Sequence, residues 1–193
     1  MKQALWPHVQ FYSKQIEIIH SVRDNVETYV PAGNMLGKDF VAGFIALWFF
    51  ICHYNMDRSR QWVRVVTTSV KDDHLRVLWS EIAKYLSSCA IPLTSERGGP
   101  LLVLSHEIRH INERADKNPI NYILGCVSGK GEGMQGHHAE NTLLIIDEAS
   151  GVEDVVYDMG GTWAKRILVI GNPLPCSNFF YKGCKAGDLL RKS

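Results

Sequence analysis

A loop rich in small residues lies near the start of the chain, between a short strand-like segment and a long apolar run. Six residues, Ala32 to Gly37, precede Lys38. This is the spacing of a phosphate-binding loop that ends at the start of a helix. Backbone N–H groups of such a loop close around phosphates, the helix N-terminus adds positive potential, and the lysine supplies a mobile charge. We therefore predict that the loop binds the phosphates of ATP. Its residues are Ala32, Gly33, Asn34, Met35, Leu36, Gly37, Lys38, Asp39 and Phe40.

Two positions of this loop depart from the usual pattern. Ala32 replaces the first glycine, and Asp39 stands where serine or threonine usually offers a hydroxyl to Mg²⁺. A carboxylate at that position ligates Mg²⁺ either directly or through water, and both forms stay open here. The alternative for the whole loop is a glycine-containing turn that caps a helix, in which Asp39 interacts with the helix dipole.

An apolar strand pattern at 143–146 ends in two acids, Asp147 and Glu148. In enzymes with a phosphate loop, an aspartate at this place orders the Mg²⁺ shell, and an adjacent glutamate is suited to polarise the attacking water as a general base. Lys38 and Glu148 are therefore the candidate catalytic residues, and Asp147 and Asp39 the candidate metal ligands. The alternative is a pair of solvated acids at a strand end.

Other polar residues stand beside predicted strands. Asn172 follows the apolar run at 166–170 and is a candidate sensor of the γ-phosphate or the attacking water, with a turn-forming role before Pro173 as the alternative. Tyr12 and Gln15 precede the first strand at a distance that suits an aromatic contact and a bidentate amide contact to adenine. A plain amphipathic helix surface explains these two residues as well.

Alternating strand and helix patterns must position these residues. Strands are predicted at 27–30, 62–68, 122–127, 142–146 and 166–170, with a short one at 101–104. Helices are predicted at 13–25, at 38–53, and over a segment with Leu75, Leu78, Trp79, Ile82 and Leu86 on one face. The section from 89 to 118 is irregular, with a strongly charged stretch at 109–117. The alternation predicts a doubly wound α/β fold with a mainly parallel sheet and ligands at the carboxyl ends of the strands.

The composition is that of a soluble globular protein. Apolar residues make up 46% and charged residues 21% of the chain, which excludes the disordered and collagen-like classes. The 21 Lys and Arg nearly cancel the 20 Asp and Glu, so a nucleic-acid contact would need a local basic patch. Five scattered cysteines without a Cys-x-x-Cys pair favour reduced thiols in a cytosolic compartment. The apolar run after the loop is too short to span a bilayer, and no membrane partner is expected.

The motifs and their order resemble the large terminase subunits of tailed viruses. They are Tyr-x-x-Gln-Ile at 12–16, AGNMLGKD, Thr-Thr-Ser-x-x-Asp-Asp leading into LWSEI, Gly-x-His at 136–138, LLIIDEASGV, ILVIGNP and Asn-Phe-Phe-Tyr at 178–181. The match covers about 10–182. The Gly-x-His before the acidic pair and the Gly-Asn-Pro after it separate this pattern from generic helicases.

This resemblance implies a P-loop ATPase of the ASCE class, a RecA-like three-layer sandwich that uses ATP and Mg²⁺. It implies a homo-oligomeric ring, expected to hold five subunits, that sits on a portal, acts with a small terminase subunit and moves double-stranded DNA into a capsid. The expected location is the host cytoplasm and not the mature virion. Lys38, Asp147 and Glu148 keep the roles given above, and Gly171-Asn172-Pro173 takes a coupling role.

The resemblance also bears on arginine. Many relatives carry an arginine within the phosphate loop, yet Asn34 and Met35 occupy that stretch. Arg97, Arg109 and Arg114 are therefore candidates for a finger that reaches the ATP of a neighbouring subunit, with a solvated surface arginine as the alternative for each.

Residues 1–193 are expected to form a single ATPase domain, and the nuclease domain that usually follows in this family is expected to be absent. His137 and His138 are assigned neither catalysis nor a metal, and contact either a phosphate or a turn. Two other functions fit parts of the pattern. A helicase-like nucleic-acid remodelling ATPase shares the loop and the acidic pair but needs a second RecA-like domain. A degenerate nucleotide-binding module kept for assembly is favoured by Asp39 and disfavoured by the presence of both Lys38 and Glu148.

Overall fold

The computed structural model describes residues 1–33, 35–54, 61–127 and 133–192. Within these ranges, seven strands form one sheet in the order β1-β7-β6-β2-β5-β4-β3. The strands are β1 (Glu27–Pro31), β2 (Val63–Ser69), β3 (Leu101–Val103), β4 (Glu107–His110), β5 (Tyr122–Val127), β6 (Asn141–Ile146) and β7 (Arg166–Gly171). The helices are α1 (Lys2–Leu5), α2 (Ser13–Asp24), α3 (Lys38–His53), α4 (Asp72–Ser88), α5 (Asp154–Gly161) and α6 (Phe179–Lys192).

The central strands are parallel, which follows from their composition. β1, β7, β6, β2 and β5 all pair in parallel, whereas β4 is antiparallel to both β5 and β3. The continuous apolar runs of β6 and β7 are buried along nearly their whole length, as expected for strands covered on both faces. This confirms the predicted α/β fold with a mainly parallel sheet.

Helices cover both faces of the sheet and create two cores. Because side chains alternate along a strand, Val65 and Ile145 pack in one apolar cluster with α3 and α4. Val66 and Ile146 pack in the other, with residues of α5 and α6. The helix α2 contacts β1, β7 and α3. The molecule is therefore a three-layer sandwich, and no described helix has the length and apolar character that a membrane span needs.

The helix after the phosphate loop has the predicted bounds, Lys38–His53. It follows Gly37, whose backbone is left-handed with φ of 68°, a conformation that glycine adopts without a steric penalty. The helix is apolar nearly all round because it lies between the sheet and two other helices, α2 and α4. Its first turn is consequently held rigidly beside the ends of the strands.

The structure adds one strand and three helices to the prediction. The section from 89 to 118 is not wholly irregular, because Glu107–His110 forms β4, with Ile108 and His110 buried. Its polar composition conceals this strand, since three of its four residues are ionisable. Helices α5 and α6 and the short α1 were not predicted, because the runs that form them are brief or interrupted by glycine.

Candidate nucleotide-binding site

The predicted site residues meet at one edge of the sheet. The phosphate loop follows β1, the acidic pair follows β6, and Asn172 follows β7, which lies between those two strands. The backbone N–H of Ala32 donates to the carbonyl of Gly171 at 3.0 Å, so the start of the loop is tied to the neighbouring strand. Parallel strands present their carboxyl ends at one edge, and this is where ligands bind in such folds.

Lys38 lies at the centre of this edge and is buried. Its side chain is only 7% exposed, and its ammonium forms an ion pair with the carboxylate of Glu148. The Nζ atom also lies 3.8 Å from Oδ1 of Asp147, which is 4% exposed. The residues predicted as phosphate ligand, metal ligand and general base are therefore in mutual contact, although 109 or more positions separate the lysine from the acids.

Glu148 adopts a backbone conformation that is unusual for its type. Its φ of 51° and ψ of 42° place it in the left-handed region, which costs free energy for a residue other than glycine. The residue sits where β6 turns into a short 3₁₀ helix, Ala149–Gly151. Strained residues of this kind concentrate at functional sites, which agrees with the predicted role of this glutamate.

The carboxylates of Asp147 and Asp39 are held in an environment that disfavours their charge. Burial, followed by the charge of Asp39, raises the pKa of Asp147 to about 7, although Lys38 opposes the shift. Burial also raises the pKa of Asp39, with Lys38 opposing and Glu148 adding to the increase. Three carboxylates thus share one lysine, and a divalent cation would relieve their repulsion.

The donor set fits Mg²⁺ in its usual binding mode. Oδ1 of Asp147 is buried without a hydrogen-bond partner among the described residues, and carboxylate oxygens are ligands that Mg²⁺ prefers. In the described part of the chain, no group of three or more His, Cys, Asp or Glu side chains is arranged to hold a metal ion. Mg²⁺ ordinarily takes one or two carboxylates together with phosphate oxygens and water, so Asp147 and Asp39 remain its predicted ligands.

Tyr12 and Gln15 contact the backbone of the phosphate loop. The hydroxyl of Tyr12 donates to the carbonyl of Leu36 at 2.6 Å, and the side-chain amide of Gln15 donates to the carbonyl of Gly37 at 3.4 Å. Gln15 is 4% exposed and its Oε1 also accepts from the N–H of Tyr12. In this structure both residues therefore brace the loop, and their predicted contact with adenine stays a prediction.

A cavity of about 410 Å³ opens beside the loop, between α2 and β1. Its lining includes Tyr12, Gln15, Ala32, Leu36 and Lys38. The cavity has the volume of a small-molecule site and lies next to the loop that would hold the phosphates. Its position makes it a candidate site for the base or sugar of a nucleotide.

The other residues of the loop differ in their surroundings. Met35, which has a φ of 64°, is fully exposed, and Leu36 is half exposed. The side chain of Phe40 packs against Phe11 and Tyr85, so only its backbone faces the loop. Asn34 lies outside the described residues, and its predicted contact with ATP stays a prediction.

The three candidate arginines are not equivalent. Arg97 donates to the carbonyls of Leu86 and Ser87 at the end of α4. Arg109 belongs to β4, pairs with Glu107 at 3.3 Å and donates to the carbonyl of Asp116. Two candidates are therefore engaged within their own subunit, whereas Arg114 is exposed.

His137 has a packing role. It is 7% exposed, its Nδ1 lies 2.6 Å from the hydroxyl of Tyr122, and its Nε2 lies 2.7 Å from the carbonyl of Gly133. Burial lowers the pKa of His137, so the neutral ring is favoured. The residue precedes β6 and lies at the edge opposite the phosphate loop, as does the exposed His138. The structure thus favours the turn alternative over a phosphate contact.

The sequence pattern missed two residues at the site. Asn178 donates from Nδ2 to the carbonyls of Ala149 and Val152, both at 2.8 Å, and so braces the turn after the acidic pair. Ser69 ends β2 and is fully buried. Asn172 is recognised in the sequence as a polar residue at the end of an apolar strand, and Ser69 shows the same pattern.

Part of the chain is similar in sequence to a known viral protein. A probable large terminase subunit of Enterobacteria phage P7 is 41% identical over 63 residues, which cover 31% of this chain and 13% of that protein. The aligned stretch is therefore a small part of that relative's length. No family model matches the chain.

Several solved structures share the fold. The large terminase ATPase domain of Thermus phage P74-26 has a TM-score of 0.62 at 14% identity, covering 90% of this chain and 68% of that one. The HK97 bacteriophage large terminase has a TM-score of 0.57 at 12% identity, covering 88% of this chain and 35% of that one. A large terminase from a thermophilic bacteriophage, solved with ADP, has a TM-score of 0.56 at 15% identity, covering 85% and 39%.

These likenesses agree with the order of motifs along the chain. Because their identities to this chain are low, the solved structures establish only the fold, which is the predicted RecA-like arrangement. The sequence match points independently to the same family. The resemblance to the large terminase subunits is therefore confirmed, by one stretch of sequence and by the fold of their ATPase domains.

Proposed function

We propose that this chain is the ATP-hydrolysing motor domain of a viral DNA-packaging terminase. The observation that carries the proposal is the buried contact of Lys38 with Asp147 and Glu148 at the end of the sheet. Burying an ion pair costs desolvation free energy, so its presence at the end of the sheet calls for an explanation. The phosphate loop beside it offers one, because the phosphates and Mg²⁺ of a bound nucleotide would interact with these groups.

Each residue of the cluster has a role in hydrolysis. The β- and γ-phosphate oxygens of ATP compete with Glu148 for the ammonium of Lys38, and the lysine balances their charge. Released from that ion pair, Glu148 accepts a proton from the attacking water. Asp147 and Asp39 would hold Mg²⁺, which neutralises charge that develops on the phosphoryl group. Asn172 directly follows β7, the strand between β1 and β6. It senses the state of the γ-phosphate and transmits it to the following turn.

The packaging role rests on the relatives. The matched proteins are named as large terminases and terminase ATPase domains, and one was solved with ADP. By extension, this domain works in a homo-oligomeric ring on a portal, with a small terminase subunit, and couples hydrolysis to movement of double-stranded DNA in the host cytoplasm. The near-neutral charge of +1 means that DNA contacts are confined to local patches.

Binding of a fluorescent ATP analogue, with and without Mg²⁺, tests the proposal. The wild-type chain should bind in a Mg²⁺-dependent way, and Lys38→Ala should lose at least tenfold in affinity, because removing a buried charge-assisted contact costs roughly 1.5–3 kcal/mol. Glu148→Gln should keep binding and lose turnover by roughly two orders of magnitude or more. Folding of each variant is checked by circular dichroism.

The results also separate the competing functions. A folded wild-type chain that binds no analogue would contradict the proposal. It would favour a degenerate assembly module, the alternative that the aspartate at position 39 supports. Equal loss of binding in Lys38→Ala and Glu148→Gln would show that the division of roles is wrong. Turnover stimulated by single-stranded nucleic acid and not by duplex DNA would instead support a helicase-like ATPase.

A further inference from the structure

Ser69 lies beside the acidic pair in the sheet. Strands β2 and β6 are parallel neighbours, and their last pair in register is Thr68 with Ile146. The N–H of Asp147 donates to the carbonyl of Thr68 at 2.9 Å. Ser69 and Asp147 are therefore the next residues of two adjacent strands, side by side at the edge that carries the phosphate loop.

Both side chains point to the same face of the sheet. Thr67 accepts a hydrogen bond from Trp79 of α4, and Ile145 belongs to the core cluster that contains α3 and α4. Because side chains alternate along a strand, Ser69 and Asp147 face the same side as Thr67 and Ile145. That is the side on which α3 begins, with its lysine at the phosphate loop.

Each of these side chains buries an oxygen without a hydrogen bond. Ser69 is 0% exposed, and neither its Oγ nor Oδ1 of Asp147 has a hydrogen-bond partner among the described residues. Buried polar atoms are nearly always partnered, because their desolvation is otherwise uncompensated. Thr67, two residues earlier, accepts from Trp79 at 3.0 Å. On these two strands the oxygens that lack a hydrogen bond lie at the ends, and Oδ1 of Asp147 has only the ammonium of Lys38 nearby, at 3.8 Å. A ligand at this edge would supply the missing hydrogen-bond partners.

We propose that Ser69 is a positioning residue of the nucleotide site, whose hydroxyl holds a water in the coordination shell of the Mg²⁺ that Asp147 binds. The inference rests on the proposed function and adds a residue to the same site. Mg²⁺ dehydrates reluctantly and keeps several waters. A serine hydroxyl both donates and accepts, so it can fix the orientation of such a water.

The experiment compares Ser69→Ala and Ser69→Thr in the full chain. A fluorescent ADP analogue is titrated with Mg²⁺ and again with EDTA. Ser69→Ala should lower the affinity measured with Mg²⁺ about tenfold, as loss of an outer-shell partner does at metal sites, and leave the affinity in EDTA unchanged. Ser69→Thr keeps the hydroxyl and should bind close to wild type.

Thermal unfolding without ligand distinguishes this role from a structural one. Ser69→Ala should unfold at the same temperature as wild type or higher, because it removes a buried hydroxyl that lacks a partner. Thr142→Val is the matched control at the other end of β6. The hydroxyl of Thr142 donates to the carbonyl of Trp163 and accepts from the N–H of Lys165, both at 2.9 Å. This control should lower the unfolding temperature and change neither affinity.

Several results would overturn the inference. Equal weakening of Ser69→Ala in Mg²⁺ and EDTA would do so, as would an unchanged affinity in Mg²⁺ or a lowered unfolding temperature. A wild-type chain that binds the analogue equally in both conditions would remove the Mg²⁺ role but leave nucleotide binding. A folded wild-type chain that binds in neither condition would remove the proposed function itself, and the inference with it.

Discussion

The acidic side chains at the site together outnumber the one lysine that balances their charge. After burial, the charges of Asp39 and Glu148 raise the pKa of Asp147, the charge of Glu148 raises the pKa of Asp39, and Lys38 opposes both shifts. A phosphate loop with serine or threonine in place of Asp39 would carry one carboxylate fewer. Asp39 therefore raises the electrostatic free energy of the ligand-free site and increases the affinity of the site for a cation.

Asp39→Thr tests whether this carboxylate is needed. We expect the variant to bind the ATP analogue with Mg²⁺ at least as tightly as wild type, because a hydroxyl ligates Mg²⁺ without repelling the triphosphate. Its free energy of unfolding should rise by about 1 kcal/mol or less, because the change removes one carboxylate from a partly buried cluster of like charges. Titration and urea denaturation measure the two effects. Loss of Mg²⁺-dependent binding in Asp39→Thr would instead show that the carboxylate is itself an essential ligand.

His137 gives a residue-scale prediction on pH. Burial is the main cause that lowers its pKa below the ordinary 6.5. As pH falls below 6.5, the unfolded chain takes up a proton before the folded chain does, so stability is lost between 6.5 and the lower folded value and is fully present above 6.5. The free energy of unfolding, measured by urea denaturation from about pH 7 to about pH 5, should fall less steeply in His137→Gln than in wild type. Parallel curves for the two proteins would contradict this.

At the scale of elements, α2 and the phosphate loop act as one unit. The backbone of Gly37 in the loop is left-handed, and a Cβ added there would lie 2.8 Å from Nε2 of Gln15. The first turn of α2 therefore fits closely against the loop backbone. Preorganisation of this kind lowers the entropic cost of closing the loop on a ligand.

Substitutions at Tyr12 separate its two possible roles. Tyr12→Phe removes the hydrogen bond to the carbonyl of Leu36 and keeps the aromatic ring. If Tyr12 braces the loop, affinity for the ATP analogue should fall roughly two- to tenfold, the equivalent of one hydrogen bond of about 0.5–1.5 kcal/mol. If it stacks on adenine, Tyr12→Phe should bind like wild type, and Tyr12→Ala should lose the affinity. We expect the first result, because the structure shows that bond.

At the scale of the whole molecule, the geometry of the arginines bears on ring assembly. In the antiparallel pair of β4 and β5, Arg109 lies opposite Tyr122, the first residue of β5. Arg114 follows Arg109 along the chain, past the end of β4. Arg114 is therefore at the edge opposite the phosphate loop of its own subunit. Of the three candidates, it is the one whose place suits contact with a neighbouring subunit.

Turnover at increasing protein concentration tests this assignment. If a neighbour completes the site, turnover per molecule should rise with concentration in wild type. Arg114→Ala should reduce that rise by about tenfold or more, a lower bound beside the roughly 10³–10⁵-fold effect of arginine fingers. Arg97→Ala is the control: it should lower stability, because it removes hydrogen bonds to the end of α4, and leave the concentration dependence unchanged. A normal rise in Arg114→Ala would exclude Arg114 as the finger.

The local part of this protein was predictable from its sequence. The spacing from Ala32 to Lys38, the bounds of α3 and the apolar runs of β6 and β7 follow from loop chemistry and hydrophobic periodicity, which act over a few neighbouring residues. The polar ends of these strands identified Asp147 and Glu148 by the same local reasoning. The fold class followed from the alternation of strands and helices along the chain.

Only the tertiary structure decided which residues meet. The order of strands brings β2 beside β6, and this places Ser69 against Asp147 although 78 positions separate them. Packing likewise assigned Arg97 to the end of α4, His137 to Tyr122 and Tyr12 to the loop backbone. The physical reason is that pairing between distant strands and burial of polar atoms depend on contacts across the fold, which local spacing does not encode.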